Sequence, residues 1–307
     1  LIIILIVLKQ GGFMTWPIAV NGSVAKTDFN ALKTILENGN IFENLIANGG
    51  FEIWQRGSSF SGVTNMFTAD MWKFAGSNAG YTVTRESSTL HSGTYSFKIV
   101  ITNTTKTIRQ SLENWKELEG KTVSFSAWVK SSAASTVRLY LYDGTGGANS
   151  SFNTGTGWER LTVSRSLSGI SELTFYIEFV GTSGLTAYVD DAMAVQGSEA
   201  ADFTPRNPGL EQMLCERWYE KGTYRSGIPT TNKELRLACR FRELKAGSTF
   251  TVSFVPAIYD DSDTDDTSHW TVNSYYTNDI LFIILTRDVA QAGNYYINAD
   301  WNVQVDS

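Results

Sequence analysis

Between residues 45 and 195 the chain alternates apolar and polar side chains with a period of two, in short runs broken by small, turn-forming residues. Only an extended strand places every second side chain on one face, so this pattern excludes a helical bundle for the central half of the protein. The runs fall at 45–54, 81–85, 95–101, 106–111, 122–130, 136–142, 158–164, 172–180 and 185–195. Turns are expected at 77–80, 91–93, 143–147, 155–157 and 181–184, where Gly, Ser, Asn and Asp cluster. Many short strands at regular spacing predict an all-β sandwich or jelly roll; periodicity alone does not choose between them.

Length and composition agree with that reading. The chain has 307 residues, enough for about two domains. It is 42% hydrophobic, only 18% charged and 13% aromatic, with nine Trp and thirteen Tyr, a mixture that suits strands and turns. Net charge is −6 and no basic run occurs, so sequence-independent nucleic-acid binding is not expected. Cys215 and Cys239 form neither a disulfide framework nor a metal pattern, and two buried free thiols are expected.

The first eight residues, Leu-Ile-Ile-Ile-Leu-Ile-Val-Leu, are too few to span a bilayer and lack the flanks of a signal peptide, so no membrane partner is expected. Residues 9–14, Lys-Gln-Gly-Gly-Phe-Met, can be encoded by a ribosome-binding site followed by a start codon. Translation is then expected to start at Met14, with residues 1–13 untranslated; the alternative is a genuine apolar terminal strand or anchor. A short amphipathic helix is expected at 28–38, capped by Asp28 and stopped by Asn38-Gly39. Residues 198–207 read as a linker. A helix opening at Pro208 and running to Lys221 should carry Leu210, Met213, Leu214 and Trp218 on one face. Strands at 235–242, 249–259, 270–276, 280–288 and 295–305 should build a second, smaller β-domain. The expected organisation is an N-terminal segment at 1–45, a β-sandwich at 46–206 and a helix-led β-domain at 207–307.

Five phrases recur in order through the sandwich region. They are Asn48-Gly-Gly-Phe-Glu-Ile-Trp-Gln-Arg-Gly57, Ala69-Asp-Met-Trp72, His91-Ser-Gly-Thr-Tyr-Ser-Phe97, Val189-Asp-Asp191 and Phe203-Thr-Pro-Arg206. A sixth, Cys215-Glu-Arg-Trp-Tyr219, follows. The set resembles the jelly-roll carbohydrate-binding modules of bacteriophage tail-fibre and other virion proteins, and the sixth phrase resembles the Cys-Gln-Arg-Tyr-Tyr opening of their next domain. Glu216 and Trp218 depart from that pattern. The resemblance covers about residues 46–307. It implies a galactose-binding-like jelly roll and a virion part assembled in the bacterial cytoplasm. Host surface polysaccharide and other virion proteins would be its partners, and a homotrimer its assembly.

Strand parity nominates a binding face. In 123–130 the set Val123, Phe125, Ala127 and Val129 opposes Ser124, Ser126, Trp128 and Lys130. In 137–142 Arg138, Tyr140 and Tyr142 oppose the aliphatics, and in 174–179 Thr174, Tyr176 and Glu178 do. Trp128, Tyr140, Tyr142 and Tyr176, with Arg138 and Glu178, are therefore expected on the polar side of one sheet. Sugar rings stack their C–H faces on such aromatics, and their hydroxyls need fixed polar partners. The alternative use of such a face is contact with a loop or another subunit.

The resemblance also implies a structural calcium held by Glu52 and Asp191 with carbonyls of the 91–94 loop; two hard carboxylates from distant strands suit that ion. The alternative is that both acids cap loop amides. A regular strand would turn only one of Asp190 and Asp191 toward the loop. The acidic stretch 260–266 lacks the Gly and Glu of an EF-hand loop and reads as a solvated hairpin tip. No nucleophile elbow, zinc-protease pair or phosphate loop occurs, so catalysis is not expected. A capsule-degrading hydrolase, which needs only two carboxylates, is the weaker alternative.

Overall fold

The computed structural model describes residues 43–62, 64–75, 80–181, 184–230, 234–240, 250–259, 270–276, 280–287 and 293–305. The expected helix at 28–38, the apolar start and the acidic stretch at 260–266 lie outside these residues. Contacts divide the chain into a unit of residues 1–43 and one of residues 44–307. The second unit is described below.

Its first half is a jelly-roll sandwich of two antiparallel sheets. One has six strands in the order β1 (Ser59–Ser61), β3 (Tyr81–Glu86), β4 (Ser96–Ile101), β11 (Leu185–Gln196), β6 (Thr122–Ser131) and β9 (Glu159–Ser166). The other has five, in the order β2 (Lys73–Ala75), β5 (Lys106–Ser111), β10 (Thr174–Phe179), β7 (Val137–Tyr142) and β8 (Gly147–Asn149). A short 3-10 turn at Trp115–Leu118 precedes β6.

The apolar parity sets meet between the sheets. Val123, Phe125, Ala127 and Val129 of β6 are fully buried, as are Val137, Leu139 and Leu141 of β7 and Ile177 and Phe179 of β10. Phe125 meets Phe175 edge-on at 5.3 Å, and Phe97 stacks over Phe179 at 6.1 Å, so these two ring pairs join the layers. Burying each such side chain contributes about 1.5–3 kcal/mol.

Residues 45–54 form no strand. Asn48 (φ 51°) and Phe51 (φ 53°) adopt left-handed backbone; Asn tolerates it in a turn, whereas at Phe51 it is strained and is held by the packing of its ring. The Asn48 amide then ties the segment together. Its Nδ2 donates to the carbonyls of Ile53 (2.9 Å) and Asp70 (2.8 Å), and its Oδ1 accepts from the Ile53 amide. Phe51 stacks on Trp72 at 5.0 Å, while the Trp72 indole donates to the Asn48 carbonyl. Apolar alternation here marks a packed loop, because its side chains are buried from a turn rather than from a sheet.

Helix α1 (Pro208–Glu216) begins as expected, with Asn207 Oδ1 accepting from the Gly209 amide at 2.9 Å. It ends at Glu216, short of Lys221. Leu210 and Met213 are 46% and 45% exposed, against the expected apolar face. Leu214 and Trp218, the other two residues of that face, do pack inward, against the buried cluster of Cys215, Ala47 and Met71. Trp218, in the turn after the helix, meets Phe67, and Tyr219, the first residue of the following strand, lies beneath the Arg56 guanidinium at 4.0 Å.

The last strands form two three-stranded antiparallel sheets. These are β12 (Tyr219–Thr230), β17 (Gly293–Val305) and β14 (Phe250–Tyr259), and β13 (Glu234–Arg240), β16 (Ile280–Arg287) and β15 (Trp270–Tyr276). Five of these six match the sequence pattern. The sixth, β12, is hidden by Gly222, Gly227 and Pro229, residues that are weak strand formers.

The sandwich and the start of this second region share a buried ionic centre. Arg56 Nη1 bonds Asp70 Oδ1 at 2.7 Å, with side chains 3% and 0% exposed. The Gln55 amide donates to the other Asp70 oxygen, and the Gln55 side chain donates to the Tyr219 carbonyl. Burial pushes the Asp70 carboxyl up to about 6, against the pull of Arg56, and lowers the Arg56 guanidinium. Nearby, Arg206 donates to the carbonyls of Asn44 and Ile46 and pairs with Glu211, locking the chain on either side of the sandwich together.

Candidate functional site

The aromatic set nominated from parity divides between the two sheets. Tyr140 and Tyr142 on β7 and Tyr176 on β10 share the outer face of the five-stranded sheet with Arg138 and Glu178. Trp128, on β6, lies on the outer face of the other sheet. Parity within a strand is right at every one of these positions. What it lacks is the crossover: residues 132–136 carry the chain from one sheet to the other between β6 and β7, so consecutive strands do not share a face.

The five-stranded face has a regular grid. One row across it reads Lys73, Arg109, Tyr176, Tyr140 and Asn149. The next row reads Ala75, Thr107, Glu178 and Arg138. The three tyrosines are half-buried and form one patch. Tyr140 lies 5.6 Å from Tyr176 and 6.1 Å from Tyr142, with interplanar angles of 45° and 28°. Burial, with Tyr142 and Tyr176 beside it, pushes the Tyr140 phenol up, so it stays a neutral hydroxyl that can donate or accept.

Supporting residues fix this patch from beneath and beside. Gly147 lies under Tyr140: a Cβ there would sit 2.2–2.4 Å from the ring edge and hydroxyl. The 143–147 turn is held by Asp143, whose carboxylate accepts from the Thr145 amide and hydroxyl, the Gly146 amide and Arg165 Nε at 2.6 Å. Burial works against that charge. The Arg165 bond and the turn amides outweigh it and hold the carboxyl well below the usual range. Tyr142 donates to the Gly144 carbonyl. Arg138 pairs with Glu178 and lies over Phe152 at 5.0 Å. Asp143 and Gly147 were missed by pattern reading, since a turn gives no parity signal, and Arg165 of β9 was missed because its partner lies in that turn. Arg109 was missed as well, because its strand buries the polar Lys106 and Gln110 and so shows no apolar alternation in sequence.

On the opposite face Trp128 serves a loop. His91 stacks on it at 3.9 Å and 16°, and Trp158 meets the His91 ring edge-on at 5.6 Å. The 91–95 loop is wired by three acids. Asp190 Oδ2 accepts from the amides of His91 (2.9 Å) and Ser92 (3.1 Å). Asp191 meets the His91 ring and the Ser92 hydroxyl, each at 2.6 Å. Glu52 Oε1 accepts from the Thr94 and Tyr95 amides, and Gly93 (φ 66°) leaves room for it: a Cβ would sit 2.1 Å from that oxygen.

Both Asp190 and Asp191 reach this loop because β11 is not regular. Its pairing with β6 shifts between Asp190 and Met193, and Asp191 has φ 49°. Burial, and then the neighbouring Asp191, push the Asp190 carboxyl up to about 7.

The two nominated metal residues thus face one loop, and in kind they are the hard oxygens calcium takes. Their described contacts, however, are hydrogen bonds to loop donors. No group of three His, Cys, Asp or Glu side chains gathers as a metal cluster among the described residues.

Catalytic pairs are equally sparse on the tyrosine face. Glu178 is its one carboxylate in the two rows above, and it is paired with Arg138, whereas glycoside hydrolysis uses two. Cys215 is buried and free, and burial raises its thiol. Among the described residues no helix is long and apolar enough to cross a membrane.

No family model matches the chain, and no curated protein does. Solved structures with a similar arrangement include TmCBM61 in complex with beta-1,4-galactotriose, at 16% identity and a TM-score of 0.38, covering 50% of this chain and 99% of that one. The CBM22-1 xylan-binding domain of Xyn10C from Paenibacillus barcinonensis matches at 16% identity and a TM-score of 0.36, covering 50% of this chain and 95% of that one. The enzymatically active domain of bacteriophage CBA120 tailspike protein 4 matches at 12% identity and a TM-score of 0.37, covering 50% of this chain and 21% of that one.

Proposed function

We propose that this protein is a non-catalytic, glycan-binding component of a bacteriophage virion, a tail fibre or receptor-binding part, that attaches to host surface polysaccharide. The observation that carries the binding half is the tyrosine patch. Three half-buried rings lie together on the outer face of one sheet, beside polar groups already fixed by neighbours. Tyr140, Tyr142 and Tyr176 offer stacking area, and Arg138 and Glu178 offer hydroxyl partners in a set geometry. Trp128 belongs to the loop on the other sheet and has no part in this face.

The virion half rests on the ordered phrases at 48–57, 69–72, 91–97, 189–191 and 203–206. Their residues converge in space around Asn48, Asp70, Trp72 and the 91–95 loop, which explains why such phrases occur as a set. A homotrimer, contacts with other virion proteins and a structural calcium at Glu52 and Asp191 belong to the same reading. Calcium would take carboxylate oxygens that now accept from the 91–95 loop.

The test is binding of purified protein to host surface polysaccharide and a glycan array, beside Tyr140→Ala and Tyr176→Ala variants with unchanged circular dichroism. Saturable binding lost in both variants is expected, as is a higher unfolding midpoint in calcium than in chelator. A well-folded oligomer that binds no glycan at millimolar sensitivity would instead assign the tyrosines to subunit contacts and the protein to a purely structural virion role.

A further inference from the structure

The tyrosine face differs in charge from the rest of the protein. The chain as a whole carries −6. The row that holds Tyr140 and Tyr176 and the row next to it carry three cations, Lys73, Arg109 and Arg138, and one carboxylate, Glu178. Arg138 is neutralised by Glu178. Arg109 is not neutralised: its side-chain contacts are the Tyr176 hydroxyl at 3.3 Å and the face of the same ring at 5.9 Å, and no carboxylate pairs with it among the described residues.

Position gives this cation a use. Arg109 is in register with Tyr176 on the adjacent strand, and Tyr140 is in register on Tyr176's other side. Adjacent strands lie about 4.8 Å apart. A pyranose stacked across Tyr140 and Tyr176 therefore brings its rim within reach of the Arg109 guanidinium. A neutral hydroxyl there would accept one ordinary hydrogen bond. A carboxylate or sulfate on the rim would accept a charge-assisted pair in the planar geometry that arginine matches.

Resting on the glycan-binding reading above, we infer that this face selects acidic glycans, whose sugar carries a carboxylate or sulfate, with Arg109 as the counter-charge and Tyr140 and Tyr176 as the stacking floor.

The experiment uses the full chain and matched polymers: polygalacturonate and its carboxyl-reduced product, and a sulfated galactan and its desulfated product. Wild type, Arg109→Gln and Tyr140→Ala are compared by calorimetry at low and moderate salt, with circular dichroism as the folding control. The expected result is a preference of about tenfold or more for one acidic polymer over its neutral partner, weakened by salt. Arg109→Gln should abolish the preference, lowering acidic-polymer affinity about tenfold or more and neutral-polymer affinity by less, since Gln keeps a neutral donor but not the charge. Tyr140→Ala should weaken both forms.

A carboxylate-only or sulfate-only preference identifies which anion the site takes. Equal binding of acidic and neutral partners, lost in Tyr140→Ala, overturns the acidic selection and leaves glycan binding standing. A preference that survives Arg109→Gln overturns the assignment of that residue. No binding of any of the four polymers by folded protein overturns the selection and the glycan reading together.

Discussion

Removing Arg56 should destabilise the protein strongly at pH 8 and weakly near pH 4.5, because its partner Asp70 can take up a proton in the fold. Asp70 is fully buried and bonds Arg56 Nη1 at 2.7 Å. Its carboxyl is raised from 3.8 to about 6, first by burial, with Arg56 opposing the rise. A raised carboxyl binds its proton more readily folded than unfolded, so its contribution is full below the ordinary carboxylate range and is lost as pH climbs through about 6. The difference corresponds to about 3 kcal/mol at about 1.4 kcal/mol per pH unit.

Arg56→Met keeps most of the side-chain volume and removes the opposing cation, so the Asp70 carboxyl moves higher still. Near pH 4.5 Asp70 is then neutral, and the loss should be about 1 kcal/mol, chiefly packing against Phe67 and Tyr219. At pH 8 an unpaired buried carboxylate remains, and the loss should reach about 3–5 kcal/mol. Asp70→Asn strands the guanidinium instead. At pH 8 that variant should lose about 3–5 kcal/mol, whereas near pH 4.5, where the wild-type Asp70 carboxyl is itself protonated, it should lose about 1 kcal/mol or less. Urea unfolding followed by tryptophan emission reads both, since Trp72 and Trp54 are buried close by. An Arg56→Met penalty of equal size at pH 4.5 and pH 8 would refute the reasoning.

Two further outcomes follow from close approaches. Gly147→Val should displace the Tyr140 ring and lower glycan affinity about tenfold, with unfolding free energy changed by less than about 1 kcal/mol, because β8 is a short edge strand. Unaltered affinity in that variant would show that the Tyr140 position does not matter for binding. His91→Ala removes the 3.9 Å stack on Trp128 and the contact to Asp191, and should cost about 1–2 kcal/mol with a change in tryptophan emission. An unchanged denaturation curve and spectrum would leave the loop-anchoring role of Trp128 unsupported.

The sandwich was legible because two-residue alternation is a local property. Phe125, Leu139 and Ile177 could be assigned to the interior from their own strands. The tyrosine patch was legible for the same reason. The separation of Trp128 from it was not, since which sheet a strand joins depends on long-range pairing such as Val189 with Val129 and Phe97. Residues 45–54 misled because alternation also arises in a buried turn. Asp191 was nominated beside the loop only through resemblance, and the bulge that brings Asp190 there too has no periodic signature.

The position of β11 bears on how the sheet can be assembled as the chain is made. β11 lies between β4 and β6 in the six-stranded sheet, although it is the last strand of the sandwich in sequence. Leu185 pairs with Ile101 and Val189 with Val129, so both ladders wait for the same late segment. Until β11 has been synthesised, β1, β3 and β4 form one fragment and β6 and β9 another, each with an open edge able to pair with the wrong strand. Closure is therefore a late, non-local event, and a nascent chain interrupted before Leu185 exposes two sticky half-sheets rather than a smaller folded domain.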